Sequence, residues 1–245
     1  RDAGFKSISV DLIYGLPHQS VESIKPTLDT VLNALNPDRI ALYHYAHLPH
    51  IFKPQRRIDT NAVPSSEEKL DILQYAVQLL NEKGYVFIGM DHFAKPEDEL
   101  SVALREGRLQ RNFQGYSTYA DCDLVAIGVS SIGKIGSTYS QNERNIDDYY
   151  AAIDAGHLPV MRGYQLNQDD LLRRTVIQDL MCRFALDYRA YESVFGIPFG
   201  HYFKEELADL QQLAELGLVR LSSHGLKVTP KGRFLIRNIA MVFDY

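Results

Sequence analysis

Asp11-Leu12-Ile13-Tyr14-Gly15-Leu16-Pro17 (DLIYGLP) closes an apolar stretch that also holds Ile8 and Val10. The run reads as a buried strand that carries one carboxylate and ends in a Gly-Leu-Pro turn. An acidic side chain is almost never left buried without a partner, and the turn after a parallel strand is where α/β folds gather their chemistry. DLIYGLP therefore marks a ligand site on an α/β sheet.

Short apolar runs alternate with amphipathic stretches on either side of it, the pattern of βαβ units. Strands are expected over Phe5 to Ile13, Arg39 to Tyr45 and Tyr85 to Asp91. Between them lie a helix ending near Leu35 and a longer one from Glu67 to Lys83, opened by the capping box Ser65-Ser66-Glu67-Glu68 and stopped by Gly84. Pro26 either lies in the first turn of a helix starting near Ile24 or kinks a longer one. Right-handed crossovers bring the C-terminal ends of the strands to one rim, which would carry Asp11 with Tyr14-Gly15, His44 with Ala46-His47, and Asp91-His92. Each of these residues taken singly reads equally well as a group satisfying nearby backbone, but the repeat over consecutive units points to a site. A further apolar segment, Asp123 to Ile135, contains Gly128 and Gly133 and is followed by Gly136. Glycine there permits close approach of a ligand or of backbone; without Lys-Ser/Thr the spacing is no P-loop, and a tight turn is the simpler reading.

With 45% hydrophobic and 23% charged residues in 245, the chain has ample material for a core. A net charge of −5 and a pI near 5.9 exert no overall pull on nucleic acid or anionic lipid, so an anionic substrate calls for a local basic cluster. Cys122 and Cys182 form no C-x-x-C spacing, which suits a reducing, cytoplasmic setting, and no apolar run of about 18 residues suggests membrane insertion. The opening Arg1-Asp2-Ala3-Gly4 reads as the tail of a helix, hence as a chain whose earlier part lies upstream.

Beyond Leu158 helices are expected at Asp169 to Phe184, Ala190 to Phe195 and Phe203 to Leu216. A hairpin of Leu218 to Leu221 and Leu226 to Val228 follows, then a last helix from Thr229-Pro230. This order resembles a winged helix, which raises a nucleic-acid-binding regulator as one function class. Its recognition segment would be KEELADLQQLAELGL, where Glu205, Glu206, Asp209 and Glu215 oppose a single Lys204. A groove-reading helix needs cations toward phosphate and Arg, Asn or Gln toward bases. No nucleic-acid partner is expected, and a packing or lid role fits better.

DLIYGLPHQS, NPDRIALYHYAHLP, IGMDHFAKPEDEL and RNFQGYST, within a match running from Gly4 to Asp244, resemble the oxygen-independent coproporphyrinogen III oxidases, radical SAM oxidoreductases (coproporphyrinogen dehydrogenases) of heme and porphyrin biosynthesis. The related heme-chaperone branch keeps a DLIYGLP-like turn, but the pairing of IGMDHFAKPEDEL with RNFQGYS speaks for the oxidase. The resemblance implies an α/β fold: the later part of an incomplete (β/α) barrel with parallel strands over residues 1–157, then a mostly helical, winged-helix-like domain over 158–245. It implies oxidative decarboxylation of two propionates of coproporphyrinogen III to vinyls, giving protoporphyrinogen IX by 5′-deoxyadenosyl radical chemistry. The cofactors implied are two S-adenosylmethionine (SAM) molecules and a [4Fe–4S] cluster, reduced by an electron donor. The C-x-x-x-C-x-x-C loop that holds the cluster is not among these residues. The cluster is therefore expected upstream of Arg1, with no metal ligands here and no activity from this chain alone.

Residue by residue, the resemblance places Asp11 on the second SAM, accepting from a ribose hydroxyl or an ammonium group. Ile13 would pack on an adenine, Ala46 would touch the second SAM, and Ile132 the first; Ile13 and Ile132 would look the same in an ordinary core. The tetrapyrrole's propionates call for Arg in fork geometry. The donors available are Arg111 with Asn112, Gln114 and Tyr116, and Arg56 and Arg57 beside Lys53, although a solvated charge run explains Lys53 to Arg57 equally well. No catalytic residue is assigned.

Overall fold

In the computed structural model, whose described residues are 1–112, 114–119 and 122–244, β1 (Ser9–Tyr14) and β2 (Arg39–His44) pair in parallel. The crossover between them is α1 (Val21–Thr30), continued by a π-helical turn over Val31–Leu35. Ser20 caps α1 in a reciprocal bond with Ser23. The helix thus begins at Val21, and Pro26 lies inside it, where it removes one donor of the i→i−4 ladder; the Thr30 hydroxyl bonds the Pro26 carbonyl at 2.8 Å. The chain leaves this crossover through Asn36 in a left-handed conformation.

Next come α2 (Ser66–Glu82), β3 (Val86–Gly89), β4 (His92–Ala94) and α3 (Glu99–Arg105). The capping box of α2 is present as read, with Ser65 and Glu68 bonding each other's backbone N–H. Sheet order is β1-β2-β4-β3, with β4 antiparallel to both neighbours. The expected third strand over Tyr85 to Asp91 is therefore half of a hairpin, turned at Gly89, Met90 and Asp91, with Met90 at φ 53. β3 still runs in the direction of β1 and β2, but β4 makes the sheet mixed rather than parallel.

One face of this sheet is covered. Ile24 and Leu28 of α1, Leu32 of the π turn, and Ile72, Ala76 and Leu80 of α2 pack on Tyr14, Ile40, Leu42 and Phe93. Each such Ile or Leu contributes about 1.5–3 kcal/mol on burial.

The chain gathers into two compact units, Arg1–Glu106 and Gly107–Tyr245. In the second unit, β5 (Gln110–Asn112) and β6 (Gly115–Ser117) form a hairpin. β7 (Ile132–Ile135), β8 (Thr138–Asn142) and β9 (Val160–Gln165) form an antiparallel sheet, with α4 (Ile146–Asp154) between β8 and β9. Then follow α5 (Gln168–Arg183), β10 (Ala185–Asp187), α6 (Tyr188–Phe195), α7 (Phe199–Tyr202), α8 (Lys204–Glu215), β11 (Val219–Ser222), β12 (Gly225–Val228), α9 (Pro230–Arg233) and α10 (Ile236–Ala240).

The small sheet has the order β10-β12-β11, so the expected wing hairpin gains a third strand. Gly232 at the start of α9 is demanded by packing, since a Cβ there would stand 2.0 Å from the Leu218 carbonyl oxygen. Between Asp123 and Ile135 only Ile132–Ile135 is a strand, with Leu124 bridged to Lys134. Gly133 admits the Leu124 carbonyl, 3.1 Å from where its Cβ would be: the glycine serves a close approach of backbone.

By compactness the chain divides after Glu106. The physical reason is that the β5–β6 hairpin lies on α5: Gln178 Nε2 donates to the Arg111 carbonyl and the Tyr116 hydroxyl to the Met181 carbonyl. Among the described residues no helix is long and apolar enough to cross a membrane.

Candidate functional site

The side of β1 and β2 that faces away from α1 and α2 presents Ser9, Asp11 and Ile13 from β1, because side chains alternate along a strand. Val10, Leu12 and Tyr14 turn toward the helices. This corrects the reading of Asp11 as a buried carboxylate: it is exposed. Across the sheet Asp11 stands opposite Ala41, and Ala41 opposite His92; Ile13 stands opposite Tyr43. Tyr43 and His92 meet edge to face at 6.1 Å. Ile13 and Tyr43 keep 46% and 37% of their surface exposed, so apolar area and one carboxylate share an open, small-floored face.

The expected rim forms at the ends of these strands. Gly15, at φ +79, turns the chain beneath Lys69, whose Cγ would lie 3.2 Å from a Cβ at that position. Gln19 staples the turn, accepting from Gly15 N at 2.6 Å and donating to the Ile13 carbonyl. After β2, Gln55 does the same for the next loop, accepting from Leu48 N at 2.6 Å and donating to the Ala46 carbonyl at 3.0 Å. The Asp91 carbonyl accepts from Leu42 N.

Electrostatics tie these residues together. Burial raises the Tyr43 hydroxyl, and the Asp11 and Asp91 carboxylates raise it further. Burial and the nearby Lys69 ammonium lower His44, against the pull of Asp91. Polar strand ends thus share one rim, as the topology required.

Ala46, Asp11 and Ile13 belong to the first unit, whereas Ile132 opens β7 in the second. The proposed propionate donors divide likewise. Arg56 and Arg57 end the 3₁₀ turn Lys53–Arg57 in the first unit, both exposed, with Arg56 Nε donating to the Pro49 carbonyl. Arg111 and Gln114 line a cavity of about 940 Å³ lying wholly in the second unit. The Arg111 guanidinium sits over the Tyr116 ring at 5.8 Å; Phe113 of the same turn lies outside the described residues. Sequence reasoning missed Ala41 and Tyr43, whose place beside Asp11 and Ile13 depends on the β1–β2 register. It also missed Gln19 and Gln55, which carried no signal.

Among the described residues no group of His, Cys, Asp and Glu is arranged to hold a metal ion. Cys122 is exposed, and Cys182 is buried, which pushes its thiol up to about 12.

This chain is 48% identical over 245 residues to the oxygen-independent coproporphyrinogen III oxidase of Thermostichus vulcanus, covering all of this chain and 75% of that protein. The chain belongs to the oxygen-independent coproporphyrinogen III oxidase family. Identity reaches 52% with the protein of that name from Salmonella typhimurium and 51% with that from Escherichia coli, each over 244 residues and 53% of the relative. The chain thus spans about half the length of most curated relatives it matches. Residues 166–235 match the HemN C-terminal domain. The solved E. coli coproporphyrinogen III oxidase (HemN), described as a radical SAM enzyme, superposes with a TM-score of 0.96 at 51% identity, over all of this chain and 56% of that one. The coproporphyrinogen III oxidase family thus accounts for both units, and neither a heme chaperone nor a winged-helix regulator is favoured.

Proposed function

We propose that this chain forms part of a radical SAM coproporphyrinogen III oxidase, converting two propionates of coproporphyrinogen III to vinyls on the way to heme. The observation that carries the proposal is the open face of β1 and β2, with Asp11 beside Ala41 and Ile13 beside Tyr43, in a chain of this family.

That face fits SAM. Asp11 is a solvent-facing carboxylate able to accept from a ribose hydroxyl or an ammonium group, and Ile13 and Tyr43 offer apolar surface to an adenine. When bound, SAM supplies the 5′-deoxyadenosyl group that takes a hydrogen atom from each reacting propionate. We assign Asp11 and Ala46 to a second SAM and Ile132 to a first. Gln55 holds the Ala46 carbonyl in place. Arg111, Gln114 and Tyr116 are assigned to propionate binding, with Arg56 and Arg57 as further donors.

A [4Fe–4S] cluster does not fit the residues present, because Cys122 and Cys182 cannot furnish three thiolates; its ligands, like contacts to an electron donor, would come from elsewhere in the enzyme. We place the enzyme in the cytoplasm, with no nucleic acid and no membrane among its partners.

The experiment is a chimera in which the upstream part of the E. coli relative precedes Arg1, assayed anaerobically for protoporphyrinogen IX. A folded, cluster-loaded chimera that cleaves SAM but leaves coproporphyrinogen III unchanged would overturn the proposal.

A further inference from the structure

The cavity of the second unit, about 940 Å³, is walled by charges of both signs, but the two signs are not equally engaged. Of its four acids, Asp123, Asp169, Asp170 and Asp244, the first three are occupied. Asp123 accepts from Gly136 N, and Asp170 from Asn167 N and the Tyr164 hydroxyl. Asp169 is bonded by Arg173 and the Tyr202 hydroxyl, and Arg173 in turn holds the buried Glu206.

Its remaining cations, Arg111, Lys134 and Arg174, have no carboxylate partner among the described residues. Among the described residues Arg174 has only the Tyr139 hydroxyl, at 3.5 Å. Arg111 Nε is buried with no acceptor among the described residues. A buried donor left unmade is costly and rare, and a guanidinium suits a carboxylate in particular.

We infer that this cavity is a carboxylate site in which Arg111, Lys134 and Arg174 hold the side-chain carboxylates of the tetrapyrrole that are not being converted. The inference rests on the tetrapyrrole reading above and extends it to Lys134 and Arg174. Cations from β5, β7 and α5 then share the carboxylates of one ligand. Neutral polar walls, Asn112 and Gln178 among them, leave room for hydrogen bonds to its ring nitrogens.

The test uses the whole 245-residue chain and coproporphyrin III, the air-stable tetracarboxylate, followed by fluorescence in the dark. Its tetramethyl ester and benzene-1,3,5-tricarboxylate serve as competitors. Wild type should bind coproporphyrin III, the tricarboxylate should compete and the ester should not. K134Q and R174Q should each weaken binding at least about tenfold at unchanged melting temperature, with R174K recovering part of the loss. Independently of any variant, Cys122, exposed and on the cavity wall, should be alkylated more slowly once coproporphyrin is bound.

Variants that bind like wild type, or a Cys122 that is not protected, would overturn the cavity assignment while leaving the tetrapyrrole reading in place. A chain that binds neither probe would overturn it too. Binding of the tricarboxylate alone, lost in both variants, would keep the carboxylate site and remove the tetrapyrrole as its ligand.

Discussion

Asp11 and Ala41 stand directly opposite one another across the parallel β1–β2 pair, so the carboxylate of the DLIYGLP strand has a methyl group for a neighbour where most residues would crowd it. The arrangement gives Asp11 room for a ligand and no structural duty. Asp11→Asn in the chimera should therefore weaken SAM binding by roughly tenfold or more, the worth of a charge-assisted hydrogen bond. Its melting temperature should stay close to wild type, as for exposed substitutions generally. Isothermal titration with SAM beside a thermal melt separates the two; a large fall in stability with intact SAM affinity would assign Asp11 to the fold.

The cysteines should behave unequally. Burial holds the Cys182 thiol up at about 12, so it stays protonated and inert at ordinary pH. Iodoacetamide at pH 8 should modify Cys122 alone in the native 245-residue chain, and both residues after denaturation. Anaerobic iron and sulfide reconstitution of the same chain should leave it colourless. A stable brown product would show that thiolates and other ligands gather in a way the structure does not display.

Arg173 bridges Asp169 on its own helix and the buried Glu206 on α8. Removing it in Arg173→Leu strands a buried charge, at a cost of about 3–5 kcal/mol, and the double variant with Glu206→Leu should recover most of that loss. Urea unfolding measures both.

The same cluster sets an acid limit. Burial raises the Asp169 carboxyl, but the Tyr202 hydroxyl and the Arg173 guanidinium outweigh it and hold it below its ordinary 3.8. A carboxylate lowered on folding adds stability that is present above 3.8 and lost as pH falls through the folded value. Asp38, lowered through the Ile8 N–H and Arg1 despite burial, adds in the same direction. Melting temperature should thus drop on acidification below about pH 4, and Asp169→Asn should flatten part of that slope.

β1 is an edge of its sheet among the described strands. Ser7 to Val10 carries neither Pro nor charge, the usual protections of an edge. The 245-residue chain should self-associate through this strand, and Ser9→Lys should reduce the association in light scattering. A wild-type monomer whose Ser7 to Val10 amides resist hydrogen exchange would show that the edge is paired internally.

What was legible in the sequence was local. The Ser65 to Glu68 box and Gly84 bound α2 because every bond in those caps closes within a few residues. That the ends of β1 and β2 share a rim was legible because strands joined by a crossover helix run parallel. The exposure of Asp11 was not, because the burial of one strand face depends on what lies over it. β4 and β10, three residues each, are too short for alternation to register, and their place is set by partners far along the chain. Lys134 and Arg174 share a cavity only because β7 and α5 fold together, and no spacing announces that.

The reciprocal caps of α1, α2 and α5, made by Ser20 with Ser23, Ser65 with Glu68 and Asn167 with Asp170, also bear on the order in which the chain acquires structure. Each closes over three positions, at almost no loop entropy, whereas the contact between Ile8 and Asp38 that starts the β1–β2 pairing must close over 30. Helical turns at these caps are thus available before any strand has found its neighbour. The crossover helix can stand as a preformed spacer, and strand docking follows it: β1, the strand that carries Asp11, onto β2, and β4 onto β2 across the longer span from Ile40 to Phe93.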